Sequence, residues 1–161
     1  MTEQEAKKVV DIIVGAGDKE CAREMIVRFI LNFPDHARIA RRVFREKFGE
    51  AVVRDEEMAR SIIREVIHKV AGEHGVDVEK IILFGSRARG DHSEDSDWDV
   101  LVVVRQSIRR ELKIKFAAEI LEMLANYLIP CDIIVKSILE INKKAIPGTV
   151  VETAVSEGVI L

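Results

Sequence analysis

Cysteine is scarce in this chain: its 161 residues include two, Cys21 and Cys131, far apart and without a C-x-x-C spacing. No disulfide framework and no zinc-finger spacing follow from such a pair. Long apolar runs are missing too. None approaches the roughly 18 residues that a membrane helix needs, and no hydrophobic stretch follows a basic N-terminus as in a secretory leader. Nor is there an excess of positive charge: 25 Lys and Arg stand against 28 Asp and Glu, for a net charge of −3. A protein that grips long nucleic acid through many phosphates is usually basic, so this balance counts against a nucleic-acid partner. Repeats and low-complexity segments are absent, and His36, His68 and His74 show no ligand spacing. Together these absences predict a reduced, soluble, cytoplasmic protein with no membrane partner.

What is present suffices for a real core. Apolar residues make up 48% of the chain, and the length fits one domain of ordinary size, or one domain with a small extension. Residues 3–14 read as a helix ended by Gly15 and Gly17. Asp18 then caps a second helix to about Asn32, with Cys21, Ala22, Met25, Ile26, Phe29 and Ile30 as its apolar stripe. Pro34 breaks that helix, and Asp35 is expected to cap a third one to Phe48. This third helix is basic, with Arg38, Arg41, Arg42, Arg45 and Lys47. The short helices around "NFPDH" resemble a helix-turn-helix in spacing, but the acidic remainder of the chain favours a solvated or partner-facing helix in a small bundle.

From residue 55 onward the pattern alternates. A helix over 55–72 is followed by an apolar strand over 80–84 and a β-branched strand over 98–104. An amphipathic helix over 107–128 comes next, then a strand over 131–135, and "PGTVVETAVSEGVIL" supplies a last helix and a short edge strand. Apolar strands joined by long helical crossovers predict an α/β (α+β) fold, with a small mixed sheet flanked by helices. The expected division is a helical extension over 1–50 and a second domain over 55–161.

The chemistry concentrates in "GSRARGDHSEDSDWD", residues 85–99. Gly85 and Ser86 form a turn at a strand end, where backbone amides can approach an anion. Arg87 and Arg89 carry guanidinium groups suited to phosphate oxygens. In a strand, Asp97 and Asp99 share one face while Trp98 and Val100 share the other. Two carboxylates so placed repel each other, and a divalent cation relieves the conflict; hard oxygen ligands with open positions suit Mg²⁺. The crossover over 107–128 makes the second and third strands parallel, so Asp132 opens its strand at the same sheet edge as Asp97 and Asp99. For the Gly-Ser turn to reach that edge, the first strand must run antiparallel to the second.

These residues resemble a known family. "LFGSRARGDHSEDSDWDVLV" is similar to the signature of the minimal nucleotidyltransferases, in the superfamily that includes DNA polymerase beta and the aminoglycoside nucleotidyltransferases. Gly85-Ser86 is followed by residues 87–96 and then Asp97-Trp98-Asp99, and the third carboxylate of the family sits on the next strand, as Asp132 does in "CDIIV". The resemblance covers about residues 55–161. It implies that a hydroxyl attacks the α-phosphorus of a nucleoside triphosphate and pyrophosphate leaves. By carry-over, Asp97 and Asp99 hold two Mg²⁺ ions, and Asp132 completes the site for the ion that activates the hydroxyl. Ser86 and nearby amides hold the β- and γ-phosphates, with Arg87 helping. The resemblance also implies AMP as the group transferred, from ATP or another NTP, and a partner protein such as a HEPN-type toxin as acceptor. Two alternatives stay open: an antitoxin acting by contact alone, and a small-molecule transferase of the antibiotic-modifying type.

Overall fold

A computed structural model describes residues 1–143 and 148–161. The chain forms two compact units, Met1–Ala59 and Arg60–Leu161.

The first unit packs three helices on one another: α1 (Glu3–Gly15), α2 (Lys19–Asn32) and α3 (Ala37–Phe48). Their starts are written in the sequence. Thr2 and Glu5 form a capping box on α1, and the Asp18 carboxylate accepts from the Cys21 amide at the start of α2. The start of α3 corrects the expectation. Asp35 does not cap it, because Pro34–His36 forms a 3₁₀ turn and the N-terminal position of α3 falls to His36, which makes no side-chain cap.

The buried stripe of α2 also differs from the one expected. Cys21 and Met25 are exposed, whereas Arg23 and Val27 are buried. The Arg23 guanidinium lies 4.9 Å over the Phe44 ring and donates to the carbonyls of Ala51 and Val52 at 2.5 and 2.7 Å. It also meets the Glu50 carboxylate at 2.7 Å. A buried cation is tolerated when most of its donors are spent in this way; Nε makes no hydrogen bond and meets Glu20 only at 3.6 Å, and the terminal nitrogens tie the segment after α3 to α2.

The second unit is built on a four-stranded sheet of order β3-β2-β1-β4. Its strands are β1 (Val78–Phe84), β2 (Trp98–Val104), β3 (Cys131–Ser137) and β4 (Val159–Ile160). β1 runs antiparallel to β2, and β2 runs parallel to β3, so the sheet is mixed as the crossover lengths require. Two helices flank the middle of the chain: α4 (Glu56–His74), which buries Ile62, Ile63, Val66, Ile67 and Val70, and α6 (Arg110–Ala125), which packs on β3. α6 is shorter than the helix expected over 107–128. Leu128 lies beyond its end at φ 59° and is 64% exposed, because the Ile129 amide folds back to the Leu124 carbonyl ahead of Pro130.

A four-residue helix, α5 (Ser86–Arg89), follows β1. Two others close the chain: α7 (Ile138–Asn142), which sequence periodicity did not reveal, and α8 (Val150–Glu157), capped by the Thr149 hydroxyl. Pro147 of the closing segment lies outside the described residues. Gly158 lets α8 turn into the edge strand directly over β1. A Cβ there would sit 2.2 Å from Ile82 Cγ2 and 2.3 Å from the Ala154 carbonyl oxygen. One sheet face, with Ile82, Phe84, Leu101 and Val103, then packs with Ala154, Ile134, Ile138 and Ile141.

Candidate active site

The site is assembled at the edge where β1 ends and β2 and β3 begin. The Trp98 amide donates to the Pro130 carbonyl at 2.9 Å, which starts the parallel ladder and fixes its register. In that register Asp99 pairs with Asp132, so two carboxylates face each other across one strand spacing of about 4.8 Å. Across the other ladder Asp99 pairs with Phe84, the last residue of β1. Asp97 lies just before β2, two residues from Asp99 and exposed.

Gly85 explains how the turn comes so close to Asp99. Its backbone has φ 73° and ψ −159°, a region in which side chains are strained. A Cβ at that position would fall 2.2 Å from Asp99 Oδ2 and 3.1 Å from Cγ. The chain therefore requires glycine here twice over, for its dihedral angles and for its space. Beyond it, α5 starts at Ser86, and the Ala88 and Arg89 amides both return to the Gly85 carbonyl at 3.1 Å. Ser86 is half-buried and stands between the glycine and the two arginines.

The two arginines have different surroundings. Arg89 is exposed and donates to Asp91 at 3.2 Å, and its charge acts on Asp99. Arg87 is 8% exposed, with its guanidinium 4.6 Å over the Trp98 ring. Its nitrogens donate to the Ser96 carbonyl at 2.9 and 3.0 Å and to the Glu94 carbonyl at 3.1 Å. Strand alternation puts Trp98 on the sheet face opposite Asp99. Arg87 thus reaches behind the carboxylates and fastens the loop that leads into Asp97. Sequence reading placed both arginines at phosphate and missed this contact; the signal for it was the tryptophan between the two aspartates. Ser93 and Ser96 close the same loop, with the Ser93 amide donating to Ser96 Oγ at 2.9 Å. Asp91, Glu94 and Asp95 are exposed.

The electrostatics follow from this packing. Burial raises the Asp99 carboxyl above the ordinary aspartate value; the Asp132 and Asp97 charges raise it further, and Arg89 opposes them. The Cys131 thiol is pushed up to about 12, by burial first and then by Asp132, Asp97 and Asp99.

Among the described residues no three His, Cys, Asp or Glu side chains form a ready-made ion cage. Magnesium does not require one, since it keeps waters and takes its remaining ligands from phosphates. The donor set fits that ion: hard carboxylate oxygens, like charges that need a counter-charge, and a glycine that leaves Asp99 Oδ2 unobstructed.

A family model described as polymerase beta, nucleotidyltransferase matches residues 65–161. The chain belongs to this nucleotidyltransferase family. Three proteins of Methanocaldococcus jannaschii, each named "putative protein adenylyltransferase", are similar to it. One is 35% identical over 82 residues, which is 51% of this chain and 77% of the relative. The second is 46% identical over 41 residues, and the third 41% identical over 58. Those matches span 26% and 36% of this chain and 41% and 40% of the two relatives. Among the described residues of this nucleotidyltransferase, no helix is long and apolar enough to cross a membrane.

Proposed function

We propose that this chain transfers AMP from ATP to a hydroxyl group on a protein. The observation that carries the reading is the Asp99–Asp132 register with Gly85 folded against Asp99. It brings an anion-facing turn and carboxylates from two strands to one sheet edge. The names of the relatives support AMP as the transferred group and a protein as the acceptor.

In this reading Asp97, Asp99 and Asp132 hold Mg²⁺. Bound there, the ion supplies Lewis-acid polarisation of the phosphoryl oxygens and favours an acceptor alkoxide at neutral pH. The chain's own residues do the rest. Ser86 and the turn after Gly85 hold the β- and γ-phosphates, and Arg89, exposed on the carboxylate side, balances their charge. Asp132 accepts the proton of the acceptor hydroxyl as its oxygen bonds to the α-phosphorus. The bond from that phosphorus to the bridging oxygen breaks, and pyrophosphate leaves. Arg87 acts one step removed, by fixing the loop ahead of Asp97. Positioning and charge neutralisation supply most of the rate in such a transfer.

The test is incubation of the full chain with Mg²⁺, ATP labelled at the α-phosphate, and the protein encoded beside its gene. The expected result is label bound covalently to that protein and absent with Asp99→Ala. Label on an aminoglycoside instead, or label equally strong with Asp99→Ala, overturns the proposal.

A further inference from the structure

The acid excess that counts against nucleic acid belongs to the chain as a whole. α3 has the opposite sign: within ARIARRVFREKF five cations stand beside one carboxylate. Its apolar residues, Ala37, Ile39, Ala40, Val43 and Phe44, are buried. The outward face is left to Arg38, Arg42, Arg45, Glu46 and Lys47, all exposed. Most other cations of the first unit are matched, as in Lys7 with Asp11, Lys19 with Glu50 and Arg54 with Glu20. On α3, Arg42 meets Glu46 at 3.9 Å, while Arg38, Arg45 and Lys47 have no carboxylate within ion-pair distance among the described residues. Arg41, half-buried between them, has its guanidinium pKa lowered by burial and then by the charges of Arg45 and Arg38. The fold thus leaves Arg38, Arg45 and Lys47 on one helix without a carboxylate partner among the described residues.

We propose that the α3 ridge docks on B-form duplex DNA through its phosphate backbone. Three features favour this occupant. The exposed face presents no large apolar side chain and so lacks the apolar and aromatic anchors at the core of a protein–protein interface, while its strongly positive charge matches protein–DNA interfaces. Arg38 to Arg45 span about 10 Å along the helix, within reach of both phosphate walls of a major groove roughly 12 Å wide. α3 also follows α2 through the Pro34–His36 elbow, the chain order in which the second helix of such a pair enters the groove. An A-form RNA groove is too narrow to admit a helix. This surface is independent of the nucleotidyl-transfer reading, and either can stand without the other.

The experiment is fluorescence anisotropy of a labelled short DNA duplex with the full chain, between about 50 and 200 mM salt. Three neutralised phosphates give a slope of log affinity on log salt of about −2.7, or about a fortyfold loss across that range. The triple variant Arg38→Ala, Arg42→Ala, Arg45→Ala is expected to lose at least about tenfold at the low-salt end and most of its salt slope. A matched control, Lys7→Ala, Lys8→Ala, Arg28→Ala, removes the same charge from α1 and α2 and leaves binding within about twofold. If the alanine variant loses helical circular dichroism, arginine-to-glutamine changes at the same positions carry the test. Absence of binding at low salt overturns the proposal, as does a control that loses as much as the α3 variant. Displacement of the duplex by poly-glutamate at equal charge overturns it too and points to an acidic protein instead.

Discussion

Like charge gathers in two regions of this molecule, and they are built in opposite ways. The α3 ridge is a single helix whose cations are neighbours in sequence and, apart from half-buried Arg41, stand in water, where repulsion is screened within about a Debye length of 8 Å. The carboxylates of the sheet edge come from two strands separated by a whole crossover, and Asp99 is partly withdrawn from solvent. An exposed ridge costs little and is nonspecific in what it attracts. A partly buried cluster costs more, and it persists only where the surrounding register, here fixed by the Trp98–Pro130 hydrogen bond and the Gly85 turn, over-determines it. The difference teaches that the sheet edge selects geometry as well as charge.

The largest effect that can break this comparison is removal of the central carboxylate. Asp99→Ala is expected to lower nucleotidyl transfer by roughly a thousandfold, read as label carried from α-labelled ATP onto the acceptor, while leaving the proposed DNA docking by α3 unchanged. Gly85→Ala should follow. Its dihedral angles alone cost about 1–3 kcal/mol for a residue with a side chain, and the added Cβ displaces Asp99, so both melting temperature and transfer should fall. Arg87→Ala removes the carbonyl contacts and the Trp98 stacking, for a loss of roughly 2 kcal/mol in urea unfolding. Because Arg87 positions the loop, the variant should lose kcat more than ATP affinity, and Arg87→Lys should recover part of the stability.

Smaller effects come from pH, and here two carboxyls of the second unit move in opposite directions. The folded Asp99 pKa is raised, so the folded state binds more protons than the unfolded one between the two values. In the absence of metal, stability at this group falls as pH rises through that window, and Asp99→Asn should melt higher than the parent at pH 7. Glu140 is the reverse case. Burial would raise its carboxyl, but the hydrogen bonds from Lys113 and the Ser137 amide, with the charges of Lys113 and Lys136, outweigh burial and hold it at about 2. Its contribution is present above the ordinary glutamate value and is lost as pH falls toward about 2. The pair is more than a third exposed on the Glu140 side, so Glu140→Gln should cost no more than about 1 kcal/mol after solvent screening.

Much of this was legible in the residues. The β-branched run at 98–104 marked β2 to the residue, and the length of the 107–128 segment required β2 and β3 to be parallel, which sent Asp132 to the right edge. Glycine and serine at 85 and 86 marked the turn. The rest depended on tertiary packing that periodicity does not carry. Nothing local says that Arg87 turns back onto Trp98 while Arg89 stays in water, since that follows from which sheet face the tryptophan occupies. Arg23 breaks the apolar stripe of α2 because its partners, the Ala51 and Val52 carbonyls, lie far along the chain. The Pro34 elbow absorbed Asp35 into a 3₁₀ turn and took away its capping role.

The central claim is that the Asp97, Asp99 and Asp132 edge joins a divalent cation to a nucleotide. Calorimetry with α,β-methylene-ATP, whose α–β bridge is not cleaved, tests it without any acceptor. The account predicts that the full chain binds the analogue in the presence of Mg²⁺, that a chelator abolishes binding, and that Asp99→Asn does the same while remaining folded. Equal binding by the parent and by Asp99→Asn, or binding indifferent to the chelator, would contradict it.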